Sequence, residues 1–319
     1  MNVKQQSIPA QPLRDYLTGI ITQAVPPPAQ QLAATLQTRY QGRVKAILMY
    51  GSTLRETDLS DVIVDLYVLV DDYRGLPGNA LLNYLNKLLP PNVFYLQIDH
   101  DGMSVRCKYA VISLAQFSDG CNDGFHSYLW GRFCQPARLL FAADDASRLS
   151  VVDALLGSVL NLLNNACVFQ PGQRLSALQP WISGLSLSYA TELRPEHSQR
   201  AGLLVERDQD YYQTVLHHSL PLLQDRYTGA DGGLQVTASA ALTKRLRRHW
   251  RWRRLSGKCL SVLRLSKAVF TFYDCVDYAA WKIHRHTGEL IEVTPRARKY
   301  PLLFGWRVFY RLLRKGVLR

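Results

Sequence analysis

The sequence predicts an α+β fold in which the strands come first and the helices follow. Residues 44–50 and 62–70 are short apolar runs rich in β-branched residues, which is typical of buried strands. After Ile112, apolar residues recur at spacings of three and four, the period of an amphipathic helix. The charge is also unevenly divided, which sets a basic C-terminal region apart from the rest of the chain.

The predicted elements are separated by residues that break regular structure. Two N-terminal helices, over residues 12–25 and 29–41, are divided by three prolines, which do not continue a helix. After the first two strands, residues 79–89 predict a helix, and residues 92–98 and 104–112 predict two strands around a polar turn. Residues 228–240 are rich in Gly, Ser and Thr, so we expect a linker there. Helical patterns cover residues 125–141, 149–168, 202–223 and 238–263.

These elements predict a mixed-sheet domain over residues 1–143, a helical domain over residues 144–240 and a basic, amphipathic C-terminal region over residues 241–319. The composition, 47% hydrophobic and 20% charged, is that of a globular protein rather than a disordered one. Residues 154–173 are apolar but contain several Asn and Gln side chains, so we expect no integral membrane segment. The N-terminus has no targeting pattern, and we expect the protein to stay where it is made.

The formal net charge of +13 is concentrated at one end of the chain. Residues 244–319 hold 20 basic and 4 acidic residues, a net charge of +16, whereas residues 1–243 carry a net charge of −3. This excludes a uniformly cationic protein and predicts a separate surface for a polyanion. The six cysteines occur singly, without a CxxC pair, which predicts a reduced interior and argues against a zinc site.

The residues that point to chemistry lie between Tyr50 and Asp72, in the stretch YGSTLRETDLSDVIVDLYVLVDD. A strand runs into Gly51 and Ser52, and the next strand carries Asp65 within a hydrophobic run. This arrangement is typical of the nucleotidyltransferase fold. A glycine lets the backbone approach a triphosphate, a serine hydroxyl binds phosphate oxygens, and a carboxylate on a rigid strand holds Mg²⁺ against the α-phosphate.

One carboxylate of the general pattern is missing. Most nucleotidyltransferases place acids at i and i+2 of the second strand, on one face, but the i+2 partner of Asp65 is Tyr67. We therefore expect a second metal ligand from elsewhere, and the candidates are Asp61 near the start of the strand and Asp99 or Asp101 at the polar turn. For Asp61 and Asp101 the alternative is a solvated loop acid, because charged residues at strand ends usually face solvent.

Four motifs in order give the chain a resemblance to one family. They are GST followed by VDLYVLVDD, YLQ followed by CKYAVIS, YLWGRFCQPARLL, and LSYATELRPE. Together they resemble the mitochondrial-translocator-maintenance type of phosphatidate cytidylyltransferase, in a bacterial-type member. The resemblance implies a nucleotidyltransferase-like domain, a winged-helix-like helical domain, a Mg²⁺ cofactor, and transfer of CMP from CTP to phosphatidic acid. It also implies a peripheral protein on the cytoplasmic side of the inner cell membrane.

The resemblance assigns roles to individual residues. Asp65 is the implied catalytic residue and Mg²⁺ ligand, with Asp61 and Asp99 as further metal candidates. The implied nucleotide-binding residues are Gly51, Ser52, Lys108, Arg132 and Arg194. Lys108 could instead be an exposed strand lysine, and Arg132 could belong to a surface ion pair. Departures from the family pattern, such as Glu192 in place of an Asp, bear on substrate and rate more than on fold.

The basic region combines cations with aromatic residues. Residues 246–255 read LRRHWRWRRL, and indole rings beside guanidinium groups are typical of a membrane interface. Residues 302–318 predict a basic amphipathic helix of the kind that lies on an anionic membrane, or one docked on the protein's own core. The same alternation of cations and rings also suits RNA. The implied membrane-binding residues are Trp250, Trp252, Trp306, Arg307 and Arg311.

Three functions remain open at this point. The first is a Mg²⁺-dependent phosphatidate cytidylyltransferase on an anionic membrane surface, for which no nucleic-acid partner is expected. The second is a nucleotidyltransferase that acts on an RNA end. The third is a non-catalytic lipid-binding relative, suggested by the missing second acid. CTP follows from the resemblance, because no residue visibly recognises a cytosine edge.

Overall fold

The structure, a computed structural model, describes residues 7–59, 62–77, 80–193, 199–230 and 233–268. The helices in these ranges are α1 (Ser7–Ile21), α2 (Pro27–Arg39), α3 (Ala80–Leu88), α4 (Leu114–Asn122), α5 (Trp130–Phe133), α6 (Asp145–Ala166), α7 (Gln179–Tyr189), α8 (Arg200–Arg207), α9 (Gln209–Ser219) and α10 (Ala240–Ala268). The strands are β1 (Val44–Tyr50), β2 (Ile63–Val70), β3 (Asn92–His100), β4 (Met103–Ser113), β5 (Ala137–Ala142), β6 (Arg174–Leu175), β7 (Tyr227–Ala230) and β8 (Gly233–Val236).

The first five strands form one mixed sheet in the order β3-β4-β2-β1-β5. Strands β2 and β4 run parallel, and the other neighbouring strands run antiparallel. Strands β6, β8 and β7 form a second, small antiparallel sheet. The α+β class predicted from the sequence is confirmed.

The main sheet is covered on both faces. Along β2, Tyr67 and Leu69 belong to a core that includes residues of α1, α4, α5 and α6, whereas Leu66 and Val68 belong to a core that includes α2. Successive side chains of a strand point to opposite faces, so both faces of this strand are apolar. This explains why residues 62–70 read as an almost unbroken hydrophobic run.

Helix α6 lies at the centre of the helical layer. It begins where the Asp144 carboxylate accepts a hydrogen bond from the backbone N–H of Ser147 at 2.7 Å. Helix α7 approaches closely at Gly184, where a Cβ would lie 2.9 Å from Cγ of Leu162 and 3.0 Å from Cβ of Ala166. By length and composition α6 could cross a membrane, but 56% of its most apolar window is buried inside the protein, as in a core helix.

Two of the structural elements predicted from the sequence are wrong. Residues 125–141 were expected to be helical, but α5 is only one turn long and Ala137–Ala142 forms the edge strand β5, paired with β1. Pro136 separates the two elements, and periodicity does not distinguish a strand from a helix in so short an apolar run. The expected linker over residues 228–240 contains most of the hairpin β7–β8, whose Leu234 and Val236 are buried in the core.

The core that contains α6 also extends into the basic region. Leu13 of α1, Trp181 of α7 and Trp250 of α10 all belong to this one cluster of buried residues. Domain boundaries were expected at residues 143 and 240, and residues on both sides of each of these positions belong to this one core.

The orientation of α6 can be tested with two matched leucine substitutions. Leu162 is fully buried, so Leu162→Ala should leave a cavity and lower the free energy of unfolding by about 2–5 kcal/mol. Leu149, on the same helix, is 54% exposed, and Leu149→Ala should change it by less than about 0.5 kcal/mol. Urea denaturation followed by circular dichroism measures both values. Equal losses would contradict the orientation described for α6.

Candidate active site

A row of side chains crosses four strands of the main sheet, close to the C-terminal end of β1. The register pairs Tyr50 with Asp65, Asp65 with Lys108, and Lys108 with Tyr95. Residues paired in this way point to the same face of a sheet. The side chains of Asp65 and Lys108 are 30% and 26% exposed, so solvent reaches this part of the face.

Gly51 follows β1 directly and begins the turn beside this row. Its backbone has φ 88° and ψ −161°, a conformation that residues with a side chain rarely adopt. A Cβ at this position would lie 3.5 Å from Oδ2 of Asp65. The one-turn 3-10 helix Ser52–Arg55 follows, with Ser52 exposed at its start. The structure thus places the Gly51-Ser52 turn directly beside the Asp65 carboxylate.

Asp65 forms an ion pair with Lys108. The Nζ atom of Lys108 lies 2.9 Å from Oδ1 of Asp65. Both side chains are partly withdrawn from water, which strengthens their attraction relative to that of an exposed pair. Burial, and next the Asp65 carboxylate, raise the pKa of the neighbouring Tyr50, so its phenol stays protonated at neutral pH.

Tyr67 occupies the position where a second acid was expected, and its surroundings account for the difference. It is 1% exposed and contacts the rings of Tyr50, Phe117 and Phe133, with centroid separations of 5.4, 6.3 and 4.9 Å. A carboxylate placed among these rings would lose most of its hydration, which is costly. The i+2 position of β2 is therefore part of the aromatic core.

Arg132 lies beside this aromatic cluster. Its Nη2 donates to both carboxylate oxygens of Glu192, at 3.3 and 3.4 Å, and its guanidinium stacks 4.3 Å from the ring centroid of Tyr128. Burial alone would lower the pKa of Arg132, but the Glu192 carboxylate and the nearby tyrosines reverse the direction, so its pKa lies well above the usual range. The arginine is thus a permanent cation held by Glu192.

A second cation lies at the same ring and is not predicted by the sequence. The guanidinium of Arg264, from α10, lies 4.0 Å from the ring centroid of Tyr128. Within a run of many Arg and Lys residues, no local signal separates an inward arginine from an outward one. Helix α10 brings Arg264 to the site because the helix packs against this part of the domain.

The structure does not bring Asp99 to Asp65. Asp99 pairs with Ser104, four residues along β4 from Lys108, which corresponds to about 13 Å of strand. Its carboxylate accepts a hydrogen bond from the backbone N–H of Gly102 at 3.2 Å and so stabilises the β3–β4 turn. The predicted residues Asp61, Arg194, Trp306, Arg307 and Arg311 lie outside the described residues.

Trp250 does not lie on a membrane-accessible surface, which corrects the expectation from the sequence. It is 4% exposed, its Nε1 donates to the backbone oxygen of Asn165 at 2.8 Å, and its ring packs edge-on against Trp130. Trp252 is 61% exposed and lies on the opposite side of α10. Two tryptophans that look equivalent in the sequence therefore have different environments.

The described residues contain no group of three or more His, Cys, Asp and Glu side chains that could hold a metal ion. Asp65 supplies a carboxylate at the Gly51-Ser52 turn, and its Oδ1 contacts Lys108. Proteins often bind Mg²⁺ through one or two carboxylates, with the remaining ligands taken from substrate phosphates and water. The site therefore fits a Mg²⁺ ion that binds together with a triphosphate better than one held by protein ligands alone.

A comparison with protein-family models and with curated proteins finds no match to this chain.

The ion pair of Arg132 can be tested by a substitution that keeps the shape of its partner. Glu192→Gln removes the charge that compensates a guanidinium only 14% exposed, and it should lower the free energy of unfolding by about 1–3 kcal/mol. Arg148→Gln breaks an exposed pair, whose side chains are 50% and 86% exposed, and should cost less than about 0.5 kcal/mol. Urea denaturation measures both. If the two variants are equally stable, Glu192 does not hold Arg132.

Proposed function

We propose that the protein is a Mg²⁺-dependent phosphatidate cytidylyltransferase, which transfers CMP from CTP to phosphatidic acid. The observation that carries this proposal is the Gly51-Ser52 turn beside the Asp65 carboxylate on the adjoining strand. This arrangement combines a backbone that can approach phosphates with a carboxylate that can hold a phosphate-bound metal. The identity of the two substrates comes from the motif resemblance.

In the proposed reaction, a phosphate oxygen of phosphatidic acid attacks the α-phosphorus of CTP. A new P–O bond forms, the bond to the β-phosphate breaks, and its electron pair leaves with pyrophosphate, which gives CDP-diacylglycerol. Because the attacking phosphate is already anionic, the reaction depends on positioning and charge neutralisation rather than on a strong general base.

Each residue of the row has a role in this proposal. Asp65 would hold Mg²⁺, which when bound neutralises negative charge on the phosphates. The Gly51 backbone and the Ser52 hydroxyl would bind triphosphate oxygens. The Nζ atom of Lys108 lies 2.9 Å from Oδ1 of Asp65, so it would be close to a phosphate that binds to a Mg²⁺ ion at this carboxylate.

The Asp65–Lys108 ion pair also favours a second candidate, a non-catalytic relative that binds anionic lipid. An ammonium group at 2.9 Å already compensates the carboxylate, so Asp65 does not need a metal ion to be accommodated. Tyr67, in the place of a second acid, supports the same alternative. An activity measurement separates the two candidates.

Purified protein incubated with Mg²⁺, labelled CTP and phosphatidic acid in mixed micelles should form CDP-diacylglycerol. Asp65→Asn should lower the rate by about 100-fold or more, because an amide does not neutralise the metal charge. Asp99→Asn, the same change on the same sheet, should leave the rate nearly unchanged because Asp99 lies at the far turn of β3. Absence of product with the wild type would refute the proposal and support the non-catalytic relative. Undiminished activity of Asp65→Asn would remove Asp65 from the mechanism.

We also propose that the outward face of α10 contacts an anionic membrane. Trp252, Leu255 and Leu263 are 61%, 61% and 54% exposed and lie on one side of the helix. The exposed side chains of Arg248 and Arg251 flank the first two of these residues. Large apolar groups beside guanidinium groups are typical of helices that lie at a membrane interface.

Vesicle flotation can distinguish this face from the buried one. The double variant Trp252→Ala, Leu255→Ala should lower binding to phosphatidylcholine vesicles containing phosphatidic acid by about 10-fold, with little change in Tm. Trp250→Ala should cost about 3–5 kcal/mol of stability through its cavity but leave binding of the folded protein nearly unchanged. Equal flotation of the double variant and the wild type would exclude this face as the contact.

A further inference from the structure

Arg264 belongs to the basic helix α10, but its guanidinium faces into the molecule. It is half-buried, stacks 4.0 Å from the ring centroid of Tyr128, and donates from Nε to the backbone oxygen of Pro90 at 3.0 Å. Arg132 stacks on the same ring at 4.3 Å. Helix α10 therefore adds a second guanidinium to a ring at the candidate active site.

The cations of the candidate active site differ in how they are compensated. Lys108 is paired with Asp65, and Arg132 is paired with Glu192. Arg264 forms no ion pair with any residue that the structure describes, and within the described ranges its Nη1 and Nη2 atoms donate to no protein group. Its two terminal nitrogens thus retain their capacity to bind an anion.

Arg253 lies about three turns before Arg264 on the same side of α10, and both arginines act on His126. Arg253 is 5% exposed, stacks on Phe125 and Trp250, and its Nη1 has no partner among the described residues. Burial, and next the charges of Arg264 and Arg253, lower the pKa of His126. Buried cations without nearby acids are costly, and a bound anion would compensate them.

We infer that Arg264 binds the phosphate monoester of the acceptor substrate beside the Tyr128 ring. The inference rests on the proposed function, and it adds the residue that distinguishes a monoester phosphate from a neutral lipid. The planar guanidinium presents two N–H groups at the spacing of two phosphate oxygens, and stacking on an aromatic ring holds that plane in one orientation. Arg264 thus has a role different from that of the outward arginines of α10.

Calorimetric titration of the full chain, without CTP, tests the inference. The probes are dihexanoyl phosphatidate, glycerol 3-phosphate and dihexanoylglycerol. The variants are Arg264→Gln and, as a matched control at an exposed position of the same helix, Arg254→Gln. Wild type should bind a phosphate monoester and not dihexanoylglycerol. Arg264→Gln should weaken this binding at least about 10-fold, whereas Arg254→Gln should change it less than about twofold.

The probes also identify the source of the phosphate. Weaker binding of dihexanoyl phosphatidate alone would support a lipid headgroup as the ligand, and an equal effect on glycerol 3-phosphate would support a soluble phosphate monoester. Unchanged affinity of Arg264→Gln for both phosphate probes would overturn the inference.

A second variant separates binding from folding. Arg264→Lys keeps the charge without the planar pair of donors, so it should recover part of the affinity that Arg264→Gln loses. In the activity assay, Arg264→Gln should raise the KM for phosphatidic acid and leave the KM for CTP unchanged. A purely structural role would instead lower the Tm of both variants equally and affect both KM values, which would also overturn the inference.

The same measurements separate this inference from the proposed function. Loss of phosphatidate binding in Arg264→Gln, with no product formed by the wild type, would support the binding role and refute the enzyme. Product formation with an unchanged KM for phosphatidic acid in Arg264→Gln would support the enzyme and refute the binding role.

Discussion

The rest of the site depends on compensating the charge of a carboxylate in an otherwise apolar strand. Asp65 lies in β2, which is covered on both faces, and an uncompensated acid there would be costly. Parallel pairing of β2 with β4 places Lys108 directly opposite, and the ammonium lies 2.9 Å from the carboxylate. The Gly51 turn leaves the other carboxylate oxygen next to backbone rather than to a side chain. Sheet register, charge pairing and the absent Cβ of one glycine together form the site.

The basic helix α10 shows a second way of accommodating charge. Burial lowers the pKa of Arg253 to about 10 and the pKa of Lys267 to about 8. Among the described residues, neither side chain has an acidic partner; Arg253 stacks on aromatic rings, and Lys267 donates to Asn86 and to the backbone oxygen of Leu89. Aromatic faces and carbonyl oxygens thus replace carboxylates in attaching the helix to the domain. The helix is therefore part of the core on one side and a basic surface on the other.

The sequence predicted the strands of the main sheet apart from β5, and it predicted that the Gly51-Ser52 turn would lie near Asp65, because these features follow from local apolar patterning and from the order of neighbouring strands. It did not predict β5, whose short apolar run has no diagnostic period, or the β7–β8 hairpin, whose glycines resemble a linker. The pairing of Asp65 with Lys108 was missed as well, because the two residues are far apart in sequence and meet only through strand register. For Trp250 and Trp252, composition predicted one role, and packing gave them different environments.

Local sequence was sufficient for the α+β class, for the acid in the second strand and for the concentration of positive charge after residue 243. Tertiary structure alone decided which cations face inward. Arg253 and Arg264 are chemically the same as the exposed arginines of α10, and only the side of the helix that packs against the domain distinguishes them. It also decided that the neighbour of Asp65 along the strand is an aromatic core residue and that its charge partner comes from another strand. These outcomes depend on contacts between distant segments, and such contacts leave no trace in local composition or period.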